Sequence, residues 1–356
     1  DDENIGYWIN IVKQVSKARQ MQQLLRQYEE GMKQDNVDIP HIIQSAGFDF
    51  MALALDGDSE HIESAKEVAD LGEELINENV QKWREHQDIY KLTGKVPLEG
   101  VPTGLVKLDR LTLGYKPGDL IILGAQTGHG KTAFALNTAA VCVESKKPLL
   151  YINTEMSRHQ IAYRWGAILS QVPLQRIRIG NLTDAESNQV KAAYRVFSSS
   201  GFYTANMPNL TPEKLHTLAH QAKLQNKIEM LILDYVGRMD KHDRNLQEWQ
   251  VLEQIIKTQK ILAQNLNIAC MVLVQLNEDG SLQGAKRMKN ESDLMLKLIP
   301  VEKDQVERIR EAHKKDYEEF NYRLFIDKSR DSIAGIDIPL VFDKSRQIIR
   351  EAAQIK

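Results

Sequence analysis

Residues 120–137 hold the densest run of chemistry in the chain. Leu120-Ile-Ile-Leu-Gly-Ala125 is apolar, Gln126-Thr127-Gly128-His129-Gly130 follows, and Lys131-Thr132 leads into the helix-forming run Ala133-Phe-Ala-Leu-Asn137. Strand, glycine loop and helix in this order are what a phosphate-binding loop requires. Backbone N–H groups of Thr127, Gly128, His129 and Gly130, and the helix N-terminus from Lys131 to Ala133, would surround phosphate oxygens. Lys131 would put a positive charge on the β/γ oxygens, and the Thr132 hydroxyl would ligate Mg²⁺. Ala125 stands where the pattern G-x-x-x-x-G-K-[ST] has its first glycine. The competing reading, a chance Gly-Lys-Thr at a helix start, does not explain the apolar strand before it. The expectation is a site for ATP, or another nucleoside triphosphate, with Mg²⁺.

Such a loop needs acidic partners. Met230-Leu-Ile-Leu-Asp234 is an apolar strand ending in a carboxylate, which would bring Asp234 to Mg²⁺ at a sheet's carboxyl edge. Leu149-Leu-Tyr-Ile-Asn-Thr-Glu155 is a second, with Glu155 placed to activate a water as general base. Met271-Val-Leu-Val-Gln275 ends in an amide that could hydrogen-bond the γ-phosphate or the attacking water. Each acid alone could be a surface residue after a strand; two such strands beside a phosphate loop favour the catalytic reading.

The elements that must position these groups follow from the pattern. After residue 97, short apolar runs alternate with helical segments: Leu120–Leu123, Leu149–Ile152, Met230–Leu233, Ala269–Val274, Leu294–Leu298 and Leu324–Ile326. Several are uninterrupted, as expected of strands covered on both faces of a mostly parallel sheet, and the alternation predicts an α/β domain. Residues 1–97 instead predict three helices: 7–30, about 41–55, and about 60–90 with Ser59 as its cap. The third carries a stripe of Ala65, Val68, Leu71, Leu75, Ile76 and Val80.

Composition limits the possibilities. The 356 residues carry a net charge of −3, with −9 in residues 1–97 and +6 in the rest, too weak an asymmetry to argue a polyanion partner by itself. Nothing approaches the ~18 apolar residues of a membrane span. The start, Asp1-Asp2-Glu3, has neither the basic nor the apolar segment of a signal peptide. Cys142 and Cys270 lie in apolar stretches and make no disulfide framework, so a cytoplasmic protein is expected. His216 and His220 stand at i, i+4, but Thr217 occupies the place where metalloprotease spacing needs Glu, and an ordinary helix is the expected reading.

Taken in order, these strings resemble the RecA-like ATPases, and within them the hexameric DnaB-type replicative helicases. Gly100-Val-Pro-Thr-Gly104, Leu108-Asp109 and Gly114-Tyr-Lys-Pro-Gly-Asp119-Leu120 look like that family's lead-in, and Gly130-Lys-Thr-Ala-Phe-Ala-Leu-Asn137 like its continuation. Asn153-Thr-Glu155-Met156-Ser157 resembles the segment with the catalytic glutamate, and Asp234-Tyr235 and Val274-Gln275-Leu276-Asn277 the next two motifs. The family also tolerates alanine at the position of Ala125. The resemblance covers about residues 98–350.

The resemblance implies an α/β RecA-like motor over 98–356, preceded by an all-α region. Residues 1–60 would be a remnant of an N-terminal collar domain, most of it missing, and 61–97 a linker helix packing on a neighbouring subunit. Packing within the chain is the alternative for its Leu71-Leu75-Ile76-Val80 face. Phe325-Ile-Asp-Lys328-Ser-Arg330 looks like the late strand whose Lys-x-Arg pair reaches the γ-phosphate of the next subunit. Arg330 would be an arginine finger in trans, worth ~10³–10⁵ in rate, with Lys328 its companion. Gly284, Lys286, Arg287 and Lys289 lie where the family's DNA-binding loop faces the central channel; a merely solvated loop is the alternative. The implied activity is ATP-driven 5′→3′ movement on single-stranded DNA by a homo-hexameric ring, with primase and a helicase loader as partners. Asp234-Tyr-Val-Gly and the short span after Asn277 fit a phage-encoded member. One rival shares the ATPase core, a filament-forming strand-exchange protein against which Asn153–Ser157 and the Lys-x-Arg pair argue; a second, of another class, is an ATP-gated scaffold indifferent to DNA.

Overall fold

In a computed structural model of the chain, the residues described are 2–33, 38–55, 64–93, 97–208, 210–234, 248–277, 280, 285–313 and 317–355. Their contacts divide the chain into two compact units, residues 1–85 with 213–220, and residues 86–212 with 221–356.

In the first unit, three helices stand where the hydrophobic periodicity predicts them: α1 (Asp2–Gly31), α2 (Ile39–Leu55) and α3 (Ala65–Thr93). Tyr28 of α1 bonds Asp49 of α2, and its ring lies 6.3 Å from that of Phe50. Ser59 is outside the described residues; the cap of α3 is Ser64, whose hydroxyl accepts from Glu67 N at 3.3 Å while the Glu67 carboxylate accepts from Ser64 N at 2.7 Å. Leu71, Leu75, Ile76 and Val80 on α3 are all exposed in the single chain, Ile76 at 63%.

The second unit runs α4 (Val106–Thr112), β1 (Leu120–Ala125), α5 (Lys131–Glu144), β2 (Leu149–Asn153), α6 (Arg158–Ser170), α7 (Leu174–Ile179), α8 (Asp184–Phe197) and β3 (Phe202–Asn206). It continues through α9 (Pro212–Asn226, shared with the first unit), β4 (Met230–Asp234), α10 (Glu248–Leu266), β5 (Ala269–Gln275), α11 (Ala285–Glu291) and β6 (Leu294–Pro300). It closes with α12 (Lys303–His313), β7 (Tyr322–Ser329), β8 (Ile336–Asp343) and β9 (Ile348–Glu351). Among the described residues the strands form one sheet in the order β3-β2-β4-β5-β1-β6-β7-β8-β9. From β3 to β6 every pairing is parallel; β7, β8 and β9 then pair antiparallel.

Every residue of β1, β2 and β4 is buried, which is why their sequences are uninterrupted apolar runs. The sequence pattern misses β3, an edge strand of mixed polarity and partial exposure, and β8 and β9. Trp165 of α6 fixes that edge: its ring lies 4.5 Å from Phe197 and 4.8 Å from Phe202.

Charged groups fasten the amino end of β1. Asp293 accepts from Leu120 N at 2.7 Å and pairs with Lys260 at 2.6 Å. Lys116 pairs with Asp331 at 3.0 Å and Glu99 at 3.3 Å. Asp119 lies among them, and burial, then the nearby Asp293 carboxylate, pushes its pKa up to about 6. Because that value exceeds the unfolded one, the neutral acid favours folding below about pH 4, and this contribution is lost as pH rises through about 6. Asp119→Asn is therefore expected to raise the urea unfolding midpoint at pH 8 and leave it nearly unchanged at pH 4. An equal shift at both pH values would contradict this.

Candidate functional site

Parallel pairing brings the predicted residues together. Ala125 is level with Gln275 across β1 and β5, and Asn153 with Asp234 across β2 and β4, so the loops that follow leave one edge of the sheet. Gly128 (φ +77°) and Gly130 (φ +90°) bend the chain from β1 into α5. A Cβ on Gly130 would come within 2.5 Å of the Phe342 ring, so glycine is required twice over, by φ and by space. Ala125 is fully buried, and its carbonyl accepts from Leu276 N at 3.0 Å and from Lys131 Nζ at 2.9 Å.

A cleft of about 330 Å³ opens above this loop, and Lys131, Thr132, Glu155, Asp234 and Gln275 all line it. Thr127, Gly128, Gly130 and Ala133 line it as well. Asp234 is 6% exposed; burial raises its pKa, while hydrogen bonds from the Tyr151 hydroxyl, at 2.5 Å, and from Thr132 act to keep it ionised. Burial lowers the Lys131 pKa, and Asp234 and Glu155 act the other way. His129 is held below its usual pKa by burial and by the Lys344 and Lys131 charges.

Glu155 owes its place to a local turn. The buried Asn153 side chain accepts from Glu155 N at 3.0 Å and Met156 N at 2.6 Å, and donates to Met156 O at 2.7 Å. Ser157 and Gln160 then form a capping box that starts α6. These residues fit a magnesium–nucleoside triphosphate: loop N–H groups and Lys131 suit phosphate oxygens, and the Thr132 and Asp234 oxygens suit a hard cation.

Besides Gln126 of the loop, four further residues line the cleft that sequence reasoning missed: Arg164 of α6, Phe342 of β8, and Lys344 and Gln347 of the β8–β9 turn. The Arg164 guanidinium donates to Gln347, whose own carbonyl is held by Asn137 Nδ2 at 2.7 Å. A lone arginine on a helix carries no motif; only the packing of α6 aims it inward.

Lys328 and Arg330 lie elsewhere. β7 is antiparallel to β6, and β6 is parallel to β1, so Ser329 faces Leu294 and Arg330 N donates to Asp293 O at 2.9 Å. Asp293 N in turn donates to Leu120 O, at the start of β1, whereas Lys131 follows its end. The pair is thus on the edge of the sheet opposite the cleft of its own chain. Of the basic segment, Gly284 lies outside the described residues. Lys286 and Arg287 stand on α11, and Lys289 on the same helix is 3.2 Å from Asp327. His216 and His220 are residues of α9, with their rings 5.5 and 6.3 Å from that of Phe48.

A cation in a part-buried cleft whose loop suits phosphate oxygens should matter most for binding. Arg164→Ala is expected to weaken nucleoside triphosphate binding about 10-fold or more, the worth of ~1.5–3 kcal/mol of a hydrogen bond to a charged group. Titration with a fluorescent ATP analogue checks this, and unchanged affinity would exclude Arg164 from the site.

The sequence matches the family described as DnaB-like helicase C terminal domain over residues 100–350. A "Replicative DNA helicase DnaB" from Leifsonia xyli subsp. xyli is 31% identical over 198 residues, covering 55% of this chain and 43% of the relative. Another from Geobacillus stearothermophilus is 25% identical over 288 residues, covering 80% of this chain and 60% of the relative. The chain thus spans between 43% and 60% of the length of these two curated relatives. A solved DnaB-like replicative helicase, described with its interactions with primase, aligns with a TM-score of 0.69 and 19% identity over 96% of this chain and 77% of that one. The ATPase domain of G40P aligns with a TM-score of 0.63 and 21% identity over 77% of this chain and 98% of that one. At such identities the likeness bears on the fold alone, an α/β architecture around a mostly parallel sheet. The family match extends over most of that α/β unit, and the chain belongs to the DnaB-like helicase C-terminal domain family.

Proposed function

We propose that this chain is the motor of an ATP-dependent replicative DNA helicase that acts as a homo-hexameric ring. The observation that carries the reading is the division of the site between two edges of one sheet. The cleft with Lys131, Thr132, Glu155 and Asp234 is at one edge, and Lys328 and Arg330 are at the other. In this reading a neighbour's Lys328 and Arg330 join the cations that the cleft already holds, which is how a ring can relay hydrolysis from subunit to subunit.

In this reading Thr127 to Ala133 bind the triphosphate through backbone N–H groups, with Lys131 on its terminal oxygens. Thr132 and Asp234 hold Mg²⁺, which supplies charge neutralisation on the phosphates. Glu155, held at the strand end by the Asn153 turn, takes the proton of the attacking water, and Gln275 orients it. Arg330 of the next subunit stabilises transition-state charge. Lys286, Arg287 and Lys289, together with Gly284, would meet the backbone of single-stranded DNA.

Residues 98–356 are the motor, 61–97 a linker whose exposed Leu71-Leu75-Ile76-Val80 face packs on a neighbouring subunit, and 1–60 a collar-derived helical part. The relatives are named as replicative helicases, and one related structure is described with primase; primase and a loader are the partners this reading assigns, with movement 5′→3′ in a bacterial or phage-infected cytoplasm. No described helix is long and apolar enough to cross a membrane.

The deciding experiment is the steady-state ATPase rate with and without single-stranded DNA. Stimulation by DNA that vanishes in Lys131→Ala is expected, with residual turnover lowered by about 10²-fold or more, as for loss of a group that stabilises transition-state charge. Clear turnover indifferent to DNA across a range of salt would remove the helicase reading and favour an ATP-gated scaffold.

A further inference from the structure

Lys328 and Arg330 already have partners within their own chain, at the end of the segment assigned to DNA and in the residues just after it. The Lys328 ammonium donates to three carbonyls at the end of α11: Lys289 O, Asn290 O at 3.2 Å and Ser292 O at 2.5 Å. Arg330 donates to Asn290 O at 2.8 Å and pairs with Asp293 at 3.2 Å. In the other direction, Lys289 reaches back 3.2 Å to Asp327, the residue before Lys328. The end of one strand therefore grips one short helix by its carbonyls and by one of its cations.

The grip matters because α11 has little stability of its own. It is seven residues long, under two turns, and nucleating so short a helix is unfavourable. Its last carbonyls have no donors within the helix, and a cation bonded to them satisfies them and opposes the negative end of the helix dipole. An ammonium has three N–H donors, and Lys328 directs all three at this turn. It has none left for a phosphate.

We propose that Lys328 is a positioning residue for α11, and that nucleotide in the neighbouring subunit's cleft releases α11 by drawing Lys328 away. The proposal rests on the ring reading, and it revises the role of Lys328 from companion of the finger to the link between nucleotide and DNA segment. The coupling is reciprocal. DNA that takes Lys289 from Asp327 loosens the same grip from the other side and frees Lys328 for the neighbour.

Hydrogen exchange of the 285–293 amides in the full chain tests this directly, in wild type and in Lys328→Met, which keeps the length and loses the donors. Without nucleotide, exchange in the variant is expected to be at least 10-fold faster than in wild type over 285–293 and unchanged in β1 and β5. A slowly hydrolysed ATP analogue should then accelerate exchange of the same amides in wild type and have no further effect in the variant. Equal protection of 285–293 in the two proteins without nucleotide would overturn the proposal, and so would equal acceleration by the analogue in both. Should the methionine variant fail to fold, the analogue's effect on wild type against Lys131→Ala decides: acceleration confined to 285–293 and absent in Lys131→Ala supports the link, and no acceleration in wild type ends it. ATPase turnover of the wild type with and without single-stranded DNA separates the two ideas, since no DNA stimulation in the wild type speaks against the helicase reading while release of the grip on α11 is read from exchange alone.

Discussion

Parallel hydrogen bonding between β1, β2, β4 and β5 is the constraint on which the rest of this structure depends. A parallel ladder fixes strand direction and register together, so strands held in step by Ala125–Gln275 and Asn153–Asp234 must end at the same edge. The loops after them then share one cleft, and residues 131, 155, 234 and 275, far apart in the chain, come within reach of one small molecule. Burial of each strand on both faces holds the register, because a one-residue slip would carry groups such as Asp234 away from their partners.

Inside that cleft, charge is placed at a cost that neighbouring groups offset. Asp234 is removed from solvent, which favours its neutral form, and two hydroxyls return part of the stabilisation of the anion. Lys131 is desolvated in turn and answered by the carboxylates opposite it. Groups held this way need little rearrangement when a charged ligand arrives, which is the condition for electrostatic preorganisation. The Asn153 turn does the same for Glu155 by geometry alone, fixing the backbone from which the side chain projects.

The switch from parallel to antiparallel pairing after β6 has the opposite consequence. It turns the end of β7 toward the amino edge of the sheet, where Lys328 and Arg330 meet α11, Asp293 and the charged groups beneath β1. One domain thereby presents a cleft on one edge and a pair of cations on the other. A ring of such domains would place every cleft against the next subunit's cations, and in the proposed coupling the same residues tie that interface to the DNA segment.

Much of this was legible in the residues. An apolar run leading into Gly128-x-Gly130-Lys131-Thr132 admits few alternatives, because strand, glycine turn and helix start form a local backbone path that local sequence dictates. The buried strands were visible for the same reason: double-sided burial demands unbroken apolar runs. By itself the sequence determined the α/β class, the glycine loop between β1 and α5 and the acids at strand ends. What it left open depends on long-range packing. Arg164 and Gln347 enter the cleft only because α6 and the β8–β9 turn pack beside it, and β3 is a strand because β2 offers an edge rather than because its residues insist. That Lys328 and Arg330 face away from their own cleft and hold α11 was decided by tertiary structure alone, since strand direction is a property of the sheet and no residue along a strand encodes which neighbour it will pair with.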